Sequence, residues 1–303
     1  MDKLITILGP TATGKTSVAA GLAARIGGEV ISADSRQVYR GMDLGTGKDL
    51  DDYIVDGKQL PYHLIDIADP GEEYNVYRFQ QDFYRAYKDI RERGKQPIMC
   101  GGTGMYLESV ILSYDLTEVP RNEELRGELE KLSDKELIDR LQSLREVHNV
   151  SDTLDIERLI RAIEISEFKN QKSKIIQHPT SNIQHLVIGI NLPRQEVRAR
   201  ITNRLKQRLD DGMLDEIKSL LASGLKPEQL EFYGLEYKFL TQHITGELSY
   251  DEMFRLLNTA IHQFAKRQMT WFRRMEKKGV QIIWIDGKLP VADKIEAIHQ
   301  LTN

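Results

Sequence analysis

Eight consecutive residues near the start of the chain are of the types that hold phosphate. Gly9, Pro10, Thr11, Ala12, Thr13, Gly14, Lys15 and Thr16 complete the pattern G-x-x-x-x-G-K-[ST], with an apolar run before them and a helical pattern after. Glycines let the backbone wrap closely around an anion, so that its N–H groups and the following helix N-terminus face the oxygens. Lys15 supplies a point charge, and the Thr16 hydroxyl can hold Mg²⁺. Such a turn, a P-loop, specifies a diphosphate-like ligand and not a reaction. The strand pattern Pro97–Cys100 runs into Gly101-Gly-Thr-Gly104 without the acid that hydrolysis of a nucleoside triphosphate calls for.

Four other places carry polar chemistry. Asp34, followed by Ser35, Arg36 and Gln37, ends a strand pattern where open α/β sheets bind ligands. It is placed to act as a general base or to reach Mg²⁺ through water; a turn former or helix cap uses the same residue. Thr103 sits in the Gly101–Gly104 turn, which either donates a hydroxyl or serves backbone geometry alone. Two basic runs come later. Arg194–Arg208 places Arg200, Arg204 and Arg208 at four-residue spacing, and Lys266–Arg274 interleaves Lys266, Arg267, Gln268, Trp271 and Arg273. Arginines neutralise phosphates and aromatic rings stack on unpaired bases, while a solvated helix face over a core gives the same pattern.

The elements that must position these residues follow from periodicity. Leu4–Leu8, Glu29–Ala33, Pro97–Cys100 and His185–Ile190 read as buried strands, His63–Ile67 as a further one, and Val280–Trp284 as a late one. Thr16–Ile26 and Phe79–Arg93 have helical spacing, and a later helix is expected to bury Phe254, Leu257, Ile261 and Phe264. Strands alternating with helices predict an α/β fold: a P-loop NTPase-like parallel sheet covered on both faces. From Arg121 to about Lys169 the pattern is helical and charged, with a capping box at Ser133–Glu136, and a polar stretch follows at Asn170–Gln184. The expected organisation is therefore a core in two parts, 1–111 and 185–303, with a helical insertion at 112–184.

Bulk properties narrow the setting. A net charge of −4 over 303 residues means that any nucleic-acid surface is local. One cysteine, Cys100, forms no internal disulfide, which fits a reducing cytoplasm. No run approaches the roughly 18 apolar residues of a membrane span. A cytoplasmic protein that touches no membrane is expected.

Taken together, these residues resemble the tRNA dimethylallyltransferase (tRNA isopentenyltransferase) family in its bacterial form. The resemblance rests on Gly9–Thr16, Asp34-Ser-Arg-Gln-Val-Tyr39, Gly41–Thr46, Pro61–Ile67, Gly101-Gly-Thr-Gly-Met-Tyr106, Glu157–Glu164, Pro193-Arg194 with Arg200–Arg204, and Lys266–Arg273, in the family's order along nearly the whole chain. It implies transfer of a dimethylallyl group from dimethylallyl diphosphate to N6 of adenosine 37 in the tRNA anticodon loop. Asp34 would be the base. Thr11, Lys15, Thr16 and Arg204 would grip the diphosphate, with Mg²⁺ upon it. Thr103 and Asp34–Gln37 would contact the extruded base. Arg126, Glu157, Arg158 and Arg161 would clasp the anticodon stem-loop, and Lys266, Arg267, Gln268, Trp271 and Arg273 would meet the RNA from the other side. A monomer is expected. Phe232-Tyr-Gly-Leu-Glu-Tyr-Lys238 departs from the family's usual Gly-Tyr-Lys/Arg segment. A kinase shares the P-loop and the strand-end acid, and a nucleic-acid-binding protein could use the P-loop structurally; transfer of label from γ-phosphate separates the first, indifference to Lys15→Ala the second.

Overall fold

In strand β1 (Lys3–Leu8) every residue after Lys3 is buried, and neighbours along the strand enter different cores. Leu4 and Leu8 join one apolar cluster, Ile5 and Ile7 another. A strand that is apolar on both faces belongs inside a parallel sheet with helices on either side. The computed structural model describes residues 3–144, 156–171 and 183–302 and has that architecture.

The first stretch contains α1 (Lys15–Ile26), β2 (Gly28–Ala33), a 3-10 turn at Leu50–Tyr53, a two-stranded hairpin of β3 (Ile54–Val55) and β4 (Lys58–Gln59), β5 (Tyr62–His63), α2 (Val76–Glu92), β6 (Gln96–Gly101) and α3 (Gly104–Ile111). Then come α4 (Glu123–Leu129), α5 (Asp134–Leu144) and α6 (Ile156–Gln171). The remainder is β7 (Gln184–Asn191), α7 (Arg194–Asp210), α8 (Met213–Ala222), α9 (Pro227–Phe232), α10 (Leu235–Ile244), α11 (Tyr250–Lys277), β8 (Ile282–Asp286) and α12 (Val291–Thr302). Six strands form one sheet in the order β5-β2-β6-β1-β7-β8, every pair parallel. Val18, Leu22 and Ile298 bring α1 and α12 onto one face; Phe79, Phe83, Leu107, Ile201 and Leu257 bring α2, α3, α7 and α11 onto the other. β1 lies between β6 and β7, so the chain leaves its carboxyl end at the centre of the sheet, where ligands of such folds bind.

Three expectations shift. The strand expected at His63–Ile67 ends at His63, because Leu64 and Asp66 adopt positive φ (63° and 55°) and turn the chain out of the ladder. The late strand begins two residues beyond its expected start, at Ile282. The buried stripe of α11 runs through Met253, Leu257, Ile261, Ala265, Gln268, Phe272 and Met275, while Phe264 is exposed. One polar residue, Gln268, thus stands on an apolar stripe.

The chain divides into two units, Met1–Tyr114 with Asn182–Asn303, and Asp115–Ser181. The second has its own core, in which Leu129, Leu137, Leu141, Leu159, Ile160 and Ile163 draw α4, α5 and α6 together. The capping box forms: Ser133 N–H donates to Glu136 Oε2 at 2.8 Å, and Glu136 N–H to Ser133 Oγ at 3.4 Å. The polar stretch read at Asn170–Gln184 lies mostly outside the described residues.

Candidate active site

The phosphate-type turn joins β1 to α1. Ala12 and Gly14 take positive φ (64° and 76°), which coils the backbone so that the helix N-terminus opens toward the sheet edge. Lys15 Nζ folds back to the Pro10 carbonyl at 2.9 Å, and the Thr13 hydroxyl donates to the same oxygen at 2.9 Å. Burial and the nearby charge of Arg204 lower the Lys15 pKa, against the pull of Cys100, Asp34 and Asp49. Burial also pushes the Cys100 thiol up to about 12, so that thiol is an inert wall.

Arg204 reaches the turn from α7 and donates from Nη2 to the Thr11 hydroxyl. Its nearest carboxylate, Asp49, stands 3.9 Å away and is already engaged by Arg208 Nη2 at 2.7 Å. Burial and Arg208 bring the Arg204 pKa down to about 10, so it stays charged at neutral pH but is short of negative partners. That is the electrostatics of a site prepared for an anion. Arg200, on the same nominal helix face, is exposed. The loop carrying Asp49 is fixed by Glu216, which accepts the N–H groups of Asp43, Leu44 and Gly45 at 2.7–3.0 Å and the Tyr237 hydroxyl at 2.7 Å.

Asp34 follows β2 and is half-buried. Its Oδ1 accepts the Arg36 N–H at 2.9 Å, a local turn; among the described residues its Oδ2 takes no hydrogen bond. The two readings of this residue are compatible, one for each oxygen. Thr103 Oγ1 accepts the Ser35 N–H at 3.0 Å and lies 3.4 Å from Ser35 Oγ, tying the strand-end turn to the Gly101–Gly104 turn. Arg36 sends its guanidinium toward Phe232, 5.6 Å from the ring centroid. Gln37 accepts from Ser32 Oγ and donates to the Gly47 carbonyl, both at 3.0 Å, so its side chain braces the loop.

Two residues of α11, Gln268 and the half-buried Trp271, make close contacts within the protein. Gln268 is buried; its Oε1 accepts the Thr11 N–H and its Nε2 donates to the Gly102 carbonyl, both at 2.9 Å. It clamps the phosphate turn to the neighbouring turn. Trp271 packs on Gly104 so closely that a Cβ there would stand 2.4 Å from its ring, and Arg274 lies 4.3 Å from the ring centroid. Lys266, Arg267 and Arg273 are exposed on the same helix.

In the helical unit Arg126 is also not at the surface. It is 5% exposed and forks onto Glu164, Nε at 3.0 Å and Nη2 at 2.9 Å, with Nη1 3.2 Å from Glu157. Arg161 donates to the Val119 carbonyl at 2.7 Å and approaches Glu164 at 3.3 Å. Burial raises the Glu164 pKa, but the Arg126 fork, the Asn122 N–H and Arg161 together outweigh it and hold the carboxyl below its usual range. Arg126 therefore joins α4 to α6, and Arg161 ties α6 to the Val119 carbonyl ahead of α4, whereas Glu157 and Arg158 are exposed.

The structure brings Thr11, Lys15, Thr16, Asp34, Thr103 and Arg204 to one sheet edge. It adds Asp49, Arg208 and Glu236, which the sequence reading did not assign to the site. Glu236 opens α10, where burial raises its pKa while Arg208 and Arg204 oppose that and Asp34 adds to it. The spacing of Arg208 four residues after Arg204 was the available signal for one of the three. For Asp49 and Glu236 there was none: Asp49 arrives on a loop, and Glu236 stands in the first turn of α10 with no local pattern tying it to the cradle.

A family model described as IPP transferase matches residues 37–275, and one described as isopentenyl transferase matches residues 2–60. A Bacteroides fragilis protein named tRNA dimethylallyltransferase 2 is 55% identical over 297 residues, covering 98% of this chain and 97% of its own. One of the same name from Phocaeicola vulgatus is 56% identical over 299 residues, covering 98% and 97%. The solved tRNA isopentenylpyrophosphate transferase of Bacillus halodurans matches with a TM-score of 0.72 at 33% identity, over 100% of this chain and 96% of that one. A eukaryotic dimethylallyltransferase described as acting on tRNA matches with a TM-score of 0.74 at 25% identity, over 95% and 74%.

Proposed function

This chain belongs to the IPP transferase family, and from that premise we propose that it transfers a dimethylallyl group from dimethylallyl diphosphate to N6 of adenosine 37 in the tRNA anticodon loop. The observation that carries the residue assignment is Arg204: a charged side chain against Thr11 of the phosphate turn, its nearest carboxylate at 3.9 Å and committed elsewhere. A departing diphosphate completes that arrangement.

Each step follows from a group in the cradle. The turn Gly9–Gly14, Lys15 and Arg204 bind the diphosphate, Lys15 exchanging the Pro10 carbonyl for phosphate oxygens. As the allylic C–O bond breaks, positive charge grows on carbon and negative charge on the leaving oxygen, which these cations and the N–H groups of the turn stabilise. The N6 lone pair is delocalised into the purine, so the amine needs an acceptor for its proton as the C–N bond forms. Asp34 Oδ2 is that acceptor. To arrive there the adenosine leaves its stack, as base-modifying enzymes require. Thr103 and the Asp34–Arg36 turn line its entry.

Thr16, half-buried in the first turn of α1, would be the protein ligand for Mg²⁺. Among the described residues no three His, Cys, Asp or Glu side chains cluster as metal ligands, so the Thr16 hydroxyl is the side-chain group that would hold the ion. Mg²⁺ there neutralises charge on the diphosphate. Lys266, Arg267 and Arg273 on α11, and Arg158 with Glu157 on α6, supply the exposed contacts to the anticodon stem-loop. The protein acts as a monomer in the cytoplasm; among the described residues no helix is long and apolar enough to cross a membrane.

The test is mass spectrometry of tRNA incubated with protein, Mg²⁺ and dimethylallyl diphosphate. The expected product is one adenosine of the anticodon loop heavier by the prenyl group. Unmodified RNA, with label passed from γ-phosphate to some acceptor, would overturn the proposal.

A further inference from the structure

The junction of α9 and α10 meets the active site at one end and solvent at the other. Phe232, the last residue of α9, is 64% exposed, more than any other large apolar side chain among the described residues. A lone exposed ring is ordinary; this one is built into a stack. It meets Tyr233 edge-on, centroids 5.9 Å apart at 83°. Tyr233 is buried, meets Tyr39 in the same manner at 4.7 Å, and accepts the Gly71 N–H on its hydroxyl. The Phe232 ring is thus backed by two anchored rings, and it stands out because that backing holds it there.

Its other neighbour ties it to the chemistry. The Arg36 guanidinium lies 5.6 Å from the Phe232 centroid, and the Arg36 N–H is bonded to Asp34 Oδ1. Gly234, at φ 140°, lies between Phe232 and Glu236; a Cβ there would stand 3.9 Å from both Arg36 Nε and Glu236 Oε2. Ring, guanidinium and proton acceptor therefore belong to one short chain of contacts running from solvent to Asp34.

We infer that Phe232 and Arg36 form a stacking platform for an unpaired nucleobase next to the reacting adenosine. When one base leaves a single-stranded loop, its neighbours each lose a stacking partner. An exposed aromatic ring restores that contact without regard to base identity, and an arginine beside it adds a planar cation for the base or a charge for its phosphate. The separation of labour is clear: Asp34 deals with the adenosine inside, Phe232 and Arg36 with its neighbour outside.

The inference rests on the proposed RNA substrate, and the experiment separates the two. An anticodon stem-loop is titrated by anisotropy against wild type, Phe232→Ala and Phe232→Trp, with the intact RNA and with RNAs abasic at the nucleotide on either side of the acceptor. Stacking of one base on one ring predicts a rise in Kd of about tenfold for Phe232→Ala on intact RNA. Phe232→Trp should retain affinity, and pyrophosphate binding should not change. On one of the two abasic RNAs the alanine variant should bind as well as wild type. An equal loss on all three RNAs, or no loss on the intact one, overturns the platform. Prenylation of the intact stem-loop by wild type is scored separately; its absence sinks the proposed reaction, whereas the binding comparison judges Phe232.

Discussion

The cradle at the sheet edge and the core of the helical unit use the same charged residues for opposite ends. In the helical unit the Arg126 fork occupies both oxygens of Glu164, and Arg161 and the Asn122 N–H fill the remaining lone pairs. In the cradle Arg204 meets a hydroxyl, its carboxylate is shared with Arg208, and Asp34 commits one oxygen. A buried charge that is fully paired specifies packing; a buried charge left partly unpaired is held for a ligand. Residue type does not distinguish the two cases. The count of partners does.

Four experiments would break or sharpen that contrast. The largest effect is expected for Asp34→Asn, which keeps the turn to the Arg36 N–H and removes the proton acceptor. Single-turnover prenylation should slow by about 10²–10⁴-fold, the scale of general-base catalysis, with pyrophosphate affinity retained. A near-normal rate would move the base elsewhere. Next, Arg126→Ala strips Glu164 of its two-pronged partner in the helical core and leaves it only Arg161 and the Asn122 N–H, at a cost of up to about 3–5 kcal/mol. The readout is lost hydrogen-exchange protection over α4 and α6, with recovery when Glu164 is also made Met. Weaker tRNA binding at full protection would instead make Arg126 an RNA contact.

Arg204→Ala should cost about 10²–10³-fold in the chemical step, as removal of one preorganised donor does elsewhere, without destabilising the fold. A denaturation midpoint that falls as far as that of Arg126→Ala would erase the distinction. The smallest effect concerns Glu236, whose carboxyl is held above its ordinary range by burial. A bound anion favours the neutral acid still more, so binding takes up a proton. Pyrophosphate affinity should therefore strengthen as pH falls through that raised pKa and weaken as pH rises through it. Glu236→Gln should flatten the profile by about tenfold or less across that window, a shift of one pKa unit. Parallel profiles would place Glu236 away from the anion.

What could be read in the sequence were features carried by contiguous residues. The phosphate turn needs only its eight residues and the strand and helix around them, and the Ser133–Glu136 box needs four; both form as read. Buried strands announce themselves by apolar runs, though the end of β5 depends on positive φ at Leu64 and Asp66, which no apolar pattern encodes. The family resemblance alone assigns Arg126 to RNA, and its pairing with Glu164 is not legible because that partner lies 38 residues away. Gln268 looked like an RNA contact because a basic run surrounds it; its place on the stripe Leu257, Ile261, Ala265, Phe272 was the overlooked sign of burial.

That glutamine has one more consequence. A carboxamide is a receiver at one tip and a giver at the other, and Gln268 spends both, on the Thr11 amide and on the Gly102 oxygen. The proposed berth for the leaving group and the proposed wall beside the incoming purine are consequently fastened by a single side chain. Carboxylate and ammonium substitutes can satisfy one tip each, never the pair. On the proposed reaction, the gap across which carbon passes from oxygen to nitrogen would thereby be gauged by a residue set behind both turns.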